Sequence, residues 1–332
     1  MAGFDAKRQV VFILCAASAW SFAFAQNVRL ELGALAPTSA EVVPAFGVVF
    51  EKVKVDGGTL TLDLRYAGEP RLGVGLSTSR AFGPLGNVVI DGWGALRTGG
   101  AAEGRVGARG VLGPVALRLT LLGFTDEPSA FRPEALASAE RPLLRRPALG
   151  VQAGVITRLS RNVILEAEPE VYLAGGVALR GEARLRLLRA LGENELSAMA
   201  LVYSPPGLGA LDAALGVGLT LPRGRAPDWS FAALLGASPA GVAVGARASL
   251  AEDFGSVRLG LDAAFEPYRL DVAPLRASVT ATAPAAAALG GGTWELSARL
   301  ASEVGQSNPF RAAAPTAYSA AVTLVVPYSP GR

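Results

Sequence analysis

Hydrophobic and polar residues alternate along most of this chain, and Arg161–Leu188 shows the pattern in its clearest form. Val163, Leu165, Ala167, Val171 and Leu173 share one parity, with Glu166, Glu168, Glu170 and Tyr172 on the other. After Gly175-Gly176 the alternation resumes, with Val177, Leu179, Ala183, Leu185 and Leu187 against Arg180, Glu182, Arg184 and Arg186. Successive strand side chains point to opposite faces, so the pattern predicts a two-stranded hairpin with one apolar and one charged face. Each arm has about eleven residues, longer than the usual globular strand of about five or six. That is about what a tilted strand needs to cross a bilayer.

The pattern recurs from Asn27 to Pro327. Ahead of the hairpin, strands are predicted at Asn27–Leu35, Val42–Lys54, Thr59–Tyr66, Arg71–Phe82, Asn87–Arg97, Gly104–Leu112, Val115–Phe124 and Ala148–Leu159. Beyond it they follow at Glu195–Ser204, Ala210–Leu221, Asp228–Ala237, Gly241–Leu250, Ser256–Glu266, Tyr268–Thr280, Thr293–Val304 and Thr316–Pro327. Turn residues separate them, as in Asp56-Gly57-Gly58 and Gly83-Pro84-Leu85-Gly86. Thr125–Arg146 and Gly305–Pro315 are longer polar interruptions, and Pro133–Glu140 within the first reads as a short helix. Eighteen candidate strands with no helical period between them exclude βαβ folds and favour an antiparallel sheet throughout.

Composition adds a membrane to this picture. Of 332 residues, 51% are hydrophobic and 18% charged, against roughly 25% charged in an ordinary soluble domain. No segment of the mature chain offers the 18 or so consecutive apolar residues of a transmembrane helix. Residues 1–25 read as a cleaved signal peptide: Lys7 and Arg8 are basic, Val10–Ala16 begins an apolar core, and Ala23-Phe24-Ala25 precedes Gln26. An N-terminal membrane anchor is the alternative, and the apolar stretch is short for it. Cys15 follows Leu14, too large for a lipoprotein motif, and the remaining chain from 26 to 332 has no cysteine. The net charge of +3 is scattered, with no basic run suited to nucleic acid. An exported chain of this kind is either a soluble β-protein or a single membrane barrel over 26–332.

Two features favour the barrel. One parity is Leu and Val in strand after strand, while the other mixes Gly73, Gly75, Arg105, Arg118, Gly216, Gly218, Arg247, Asp262, Glu295 and Arg299. Lipid demands apolarity and a wet lumen accepts charge and small residues. Aromatics also gather near predicted strand ends, where interfacial girdles sit: Tyr66, Phe82, Phe124, Tyr172, Tyr203, Trp229, Phe265, Tyr268, Trp294 and Tyr318. With its signal, its alternating spans and a terminal strand Tyr318–Val326, the chain resembles the bacterial outer-membrane β-barrel family in its porin-like branch. The family usually ends on an aromatic residue, whereas Pro327 and Tyr328 stand near this terminus. Pro169 inside a predicted strand is a second departure. The resemblance implies an all-β fold, a closed antiparallel transmembrane β-barrel of about 16–18 strands in the outer membrane. An even strand count puts the connections after odd-numbered strands outside, and both long polar loops fall there.

The chemistry points the same way. The chain has no histidine, which removes a Ser-His triad, a histidine general base and a histidine-ligated metal. No Walker loop or GxSxG elbow occurs, and Gly73-Val-Gly75 and Gly216-Val-Gly218 read as strand glycines that permit close approach. The expectation is a protein that is not an enzyme and takes no cofactor or metal. Glu166, Glu168, Glu170, Arg180, Glu182, Arg184 and Arg186 are the candidate pore-lining residues, joined in a network of ion pairs. The leading function is passive diffusion of small hydrophilic solutes through a porin-like channel in a lipid bilayer. A plugged or closed barrel that anchors the envelope or other envelope proteins, and a soluble secreted carbohydrate-binding β-protein, are the alternatives.

Overall fold

A computed structural model of the chain describes residues 27–38, 41–98, 100, 102–125, 148–173, 176–204, 211–223, 226–239, 241–269, 274–286, 292–302 and 317–327. The signal region 1–25, Thr125–Arg146 beyond Thr125 and Gly305–Pro315 lie outside these residues.

The chain alternates strand and turn. The first nine strands are β1 (Asn27–Thr38), β2 (Glu41–Val55), β3 (Gly58–Ala67), β4 (Glu69–Ala81), β5 (Asn87–Arg97), β6 (Ala102–Leu112), β7 (Val115–Phe124), β8 (Ala148–Ser160) and β9 (Val163–Leu173). The second nine are β10 (Val177–Leu191), β11 (Asn194–Ser204), β12 (Asp212–Arg223), β13 (Ala226–Ser238), β14 (Gly241–Phe254), β15 (Val257–Phe265), β16 (Leu275–Pro284), β17 (Thr293–Ser302) and β18 (Ala317–Pro327). Each pairs antiparallel with its neighbours in sequence, and β1 pairs with β18 from Asn27↔Pro327 to Ala36↔Tyr318. The sheet therefore closes into an 18-stranded barrel with no free edge.

Turn chemistry explains the two ends. Asp56-Gly57 joins β2 to β3 and Gly113-Pro114 joins β6 to β7, with Gly57 at φ 80 and Gly113 at φ 56. Two-residue hairpins need such positive φ, which costs glycine little. These tight turns follow even-numbered strands. The two longest connections, 125–147 and 303–316, follow odd-numbered ones at the other end, which also carries short turns at Gly68 and 239–240. Pro169 is absorbed by a local gap: β8 and β9 pair at Gln152↔Glu170 and next at Val155↔Ala167, leaving Pro169 unpartnered toward β8. Proline brings no N–H to that ladder.

The two faces are chemically opposite. Leu32, Leu149, Leu215 and Val244 point outward, and each is between 67% and 70% exposed. Burying apolar area is worth about 25 cal/mol per Å², so an outer face of this kind belongs in hydrocarbon. Arginines and carboxylates occupy the alternate positions and converge inside. Arg247 on β14 meets Glu182 on β10 at 3.1 Å, with three strands between them. Side chains on strands so far apart converge only on the concave side of a curved wall.

Two expectations change. Tyr268–Thr280 is not one strand: β16 begins at Leu275, and Glu266–Arg269 forms a turn against the inner wall. The aromatic girdle is also only partly a girdle. Tyr66 stacks on exposed Phe46 at 5.0 Å, and Phe265 and Trp294 are exposed. Phe124, Tyr172, Tyr203 and Tyr268 instead turn inward and are buried. Bare glycine backbone draws some of them in: a Cβ at Gly150 would lie 2.5 Å from the Tyr172 ring. The side chain of Tyr318 lies outside the described residues.

Candidate functional site: the charged interior wall

The β9–β10 hairpin sets Arg180 opposite Glu170, Glu182 opposite Glu168 and Arg184 opposite Glu166. All seven candidate pore-lining residues share the parity opposite Val171, Leu179 and Leu187, which are exposed. Within the hairpin, Arg186 donates to Glu166 at 2.8 Å and Arg180 approaches Glu170 at 3.9 Å. The other partners come from neighbouring strands. Arg186 makes a two-pronged pair with Glu195 on β11, at 2.7 Å in each arm, and Arg184 reaches the same carboxylate at 3.7 Å. Glu168 and Glu182 are like charges placed directly opposite, an unfavourable arrangement by itself. Arg118 on β7 reaches Glu168 at 3.1 Å and Arg247 reaches Glu182, so each acid is drawn to a different partner.

The most buried group of the wall lies outside the hairpin. Glu266, at the start of the turn between β15 and β16, has no exposed surface. Arg247 Nε and Nη2 donate to it at 3.1 and 2.9 Å, Arg276 donates to its other oxygen, and Arg269 stands 3.7 Å away. The Tyr268 hydroxyl donates to it at 3.2 Å. Burial alone would raise this carboxyl, but Arg269, Arg247 and Arg276 outweigh that and hold it below its ordinary value. The base of the turn is tied by Glu266 N–H donating to the Pro274 carbonyl at 2.7 Å.

A second charged patch covers β1–β6. Arg65 bridges Asp63 at 2.9 Å and Glu31 at 3.2 Å, and Arg71 pairs with the other Asp63 oxygen. The Trp93 ring lies between Arg71 and Arg105, 5.6 and 5.4 Å from their guanidinium carbons. Such cation–π contacts let arginines crowd one another beside an apolar ring. Gly73 and Gly75 leave room for Trp93, since a Cβ would meet it at 3.4 and 3.2 Å. Close approach is thus what these glycines permit. Beside the first patch, Arg184, Ser249, Asp262, Arg276 and Arg299 border a cavity of about 520 Å³. Among the described residues, no group of His, Cys, Asp or Glu is arranged to hold a metal.

The sequence pattern places the hairpin charges on one face and predicts their ion pairs. It misses Glu195 and Glu266 as shared anions, and it misses Tyr268 as an interior residue. Pro267 and Pro274, which bracket the turn, were the available signal that no strand runs through Tyr268.

A closed antiparallel barrel with an apolar outside and an ion-paired inside has the fold of the outer-membrane porins. It is similar to OpdO (OccK3) of Pseudomonas aeruginosa, with a TM-score of 0.55 and 11% identity over 90% of this chain and 95% of that one. A second structure of OpdO gives 0.54 at 10% identity, over 90% and 94% of the two chains. A Rhodopseudomonas blastica porin variant gives 0.45 at 12% identity, over 90% and 98%. No protein-family profile and no curated protein sequence matches the chain. At such identities the likeness is one of fold.

Proposed function

We propose that the protein is a porin-like channel of the outer membrane, through which small hydrophilic solutes diffuse passively. The observation that carries this reading is the division of one closed sheet into an apolar outer face and a charged inner one that borders a cavity. A soluble sugar-binding protein has no use for an outer face of exposed Leu and Val. The arrangement offers bound charge rather than a nucleophile with its base, so the protein is read as a channel and not an enzyme.

In this reading residues 1–25 are removed during export, and the turns after even-numbered strands lie on the periplasmic side. Arg180, Arg184 and Arg186, with Glu166, Glu168, Glu170 and Glu182, set the field along the solute path. Paired acids and bases nearly cancel, so selectivity between small ions is weak. Planar-bilayer recording tests the proposal: the refolded protein is expected to give discrete conductance steps that scale with salt. Replacing all three arginines by Glu shifts the reversal potential toward cations, most strongly at low ionic strength. A protein that inserts and never conducts would instead be an envelope anchor.

A further inference from the structure

Positive φ belongs almost wholly to glycine in this barrel. Among the described residues nine glycines adopt it, and the two other cases are Lys52 (φ 55) and Arg189 (φ 57). A Cβ in the left-handed region crowds its own backbone, so glycine is the cheap residue there. Both exceptions occupy the same kind of place. Lys52 sits in the register shift between Phe50 and Val53 of β2, and Arg189 in the shift between Leu187 and Leu191 of β10. These bulges lie just before the turns that follow the two longest strands, each of 15 residues. A chain with 40 glycines keeps two long cations at positions where glycine costs least.

We propose that Lys52 and Arg189 bind the phosphate headgroups of anionic phospholipids in the periplasmic leaflet. The inference rests on the orientation given above, with turns after even-numbered strands in the periplasm, and not on whether the barrel conducts. Both side chains are exposed, and neither has an ion-pair partner among the described residues. The adjacent Glu51 is engaged by Arg29 on β1 at 3.4 Å. The interior wall differs, since Arg65, Arg71, Arg186 and Arg247 all stand against carboxylates. Depth decides which anion can reach the bulges. Val55 opposite Gly58 and Leu191 opposite Asn194 continue the outward parity of Leu60 and Leu196. Both lie nearer the turn than the bulge and are 39% and 56% exposed. The apolar belt therefore runs past the bulges, which puts the cations at headgroup level. A soluble polyanion of the periplasm would meet the turns first.

The bulges explain how a charge is tolerated at this depth. Strict alternation from Phe50 and Leu187 would put positions 52 and 189 on the lipid-facing parity. A bulge breaks the alternation and re-aims the side chain it carries, so the charge leaves the ladder among headgroups rather than in hydrocarbon. β2 and β10 also stand eight places apart in a ring of eighteen, nearly opposite one another. Two such contacts hold the rim at one depth and resist tilting. Glycine suits the bulge and carries no charge, so Lys52→Gly combined with Arg189→Gly removes both cations while easing the backbone. Lys52→Arg combined with Arg189→Lys keeps both charges. Heat-modifiable migration in gels checks that each variant is a closed barrel.

Native mass spectrometry from micelles of mixed phosphatidylcholine and phosphatidylglycerol reads the lipids that stay bound. The parent is expected to retain phosphatidylglycerol in preference, by about fivefold per cation. The glycine variant is expected to lose that preference and the charge-keeping swap to retain it. Urea unfolding supplies a second readout. In neutral vesicles the glycine variant is expected to be the more stable, by about fivefold or more in the folding constant, because no side chain remains in the left-handed region. Anionic vesicles are expected to narrow that gap. Equal retention of phosphatidylglycerol by the parent and the glycine variant would overturn the proposal. So would a glycine variant that shifts the reversal potential and keeps its lipid preference, since the cations would then face the channel mouth. A parent that shows the lipid preference and never conducts would overturn the channel reading and leave this one standing.

Discussion

Two ion-pair systems share this interior wall and differ in their exposure. At the outer arm of the β9–β10 hairpin, Arg118 and Glu168 touch at 3.1 Å with their side chains 51% and 57% exposed. At the β15–β16 turn, the Glu266 side chain is 0% exposed and serves Arg247, Arg269 and Arg276. The distances are alike and the energies are not. An exposed pair gains little over its hydrated partners, about 0–1 kcal/mol. A buried carboxylate shared by three guanidiniums is held in place because removing it leaves uncompensated charge in a poorly hydrated site. The hairpin pairs tune the field along the wall, whereas the Glu266 cluster positions a segment of chain.

The largest expected effect follows directly. Glu266→Gln should cost about 3–5 kcal/mol, read as a lower urea midpoint for folding in detergent or lipid. A cost under about 1 kcal/mol would mean the two systems are alike. Next comes the contrast between faces. Leu119→Arg, on the lipid side, should cost about 2–4 kcal/mol, and Ser249→Arg, beside the cavity, should be close to neutral in the same assay. Gly218 is unsuitable as the interior control, because a Cβ there would lie 2.6 Å from Ser197 Oγ.

Acid supplies a third test. The folded carboxyl of Glu266 lies below its unfolded value, so its contribution is complete above about pH 4.5 and is lost as pH falls through the folded value. The urea midpoint should be level from pH 8 to about 5 and fall at more acid pH, whereas Glu266→Gln should start lower and fall less. Arg247, Arg269, Arg276 and the Tyr268 hydroxyl face this carboxyl, and Arg247 also pairs with Glu182. Glu182→Gln is therefore the control and should keep the fall in acid. The smallest effect is expected for Arg118→Ala, within about 1 kcal/mol of the parent.

Parity made the wall legible from the amino-acid sequence. Leu179 and Arg180 face opposite ways because they are neighbours in a strand, and no distant residue alters that. The same logic recovers the strands one by one, including β2, where Pro44 breaks the regularity. It does not reach the turn between β15 and β16. Pro267 reads as a break between two strands, and nothing local says that Tyr268 folds inward onto Gly236. That contact joins residues far apart in the chain and depends on the stagger of the strands between them. The pairing of Arg247 with Glu182 escaped for the same reason. The inward aromatics were misjudged because a tyrosine near a strand end satisfies the interface and a glycine-floored wall equally well.

Closure by β1 and β18 has a kinetic consequence. Every other neighbouring pair is a hairpin, whose strands meet soon after both exist. The last pair joins Asn27 to Pro327 across nearly the whole chain. Loop-closure entropy grows slowly with length, so the delay comes less from the search than from exposure. Until β18 docks, the growing sheet presents two unpaired edges and an apolar face that water does not tolerate. Such intermediates are prone to sticking to one another. Assembly of this protein is thus expected to be limited by its final seam, and an escort that shields both edges should speed it more than one that aids any single hairpin.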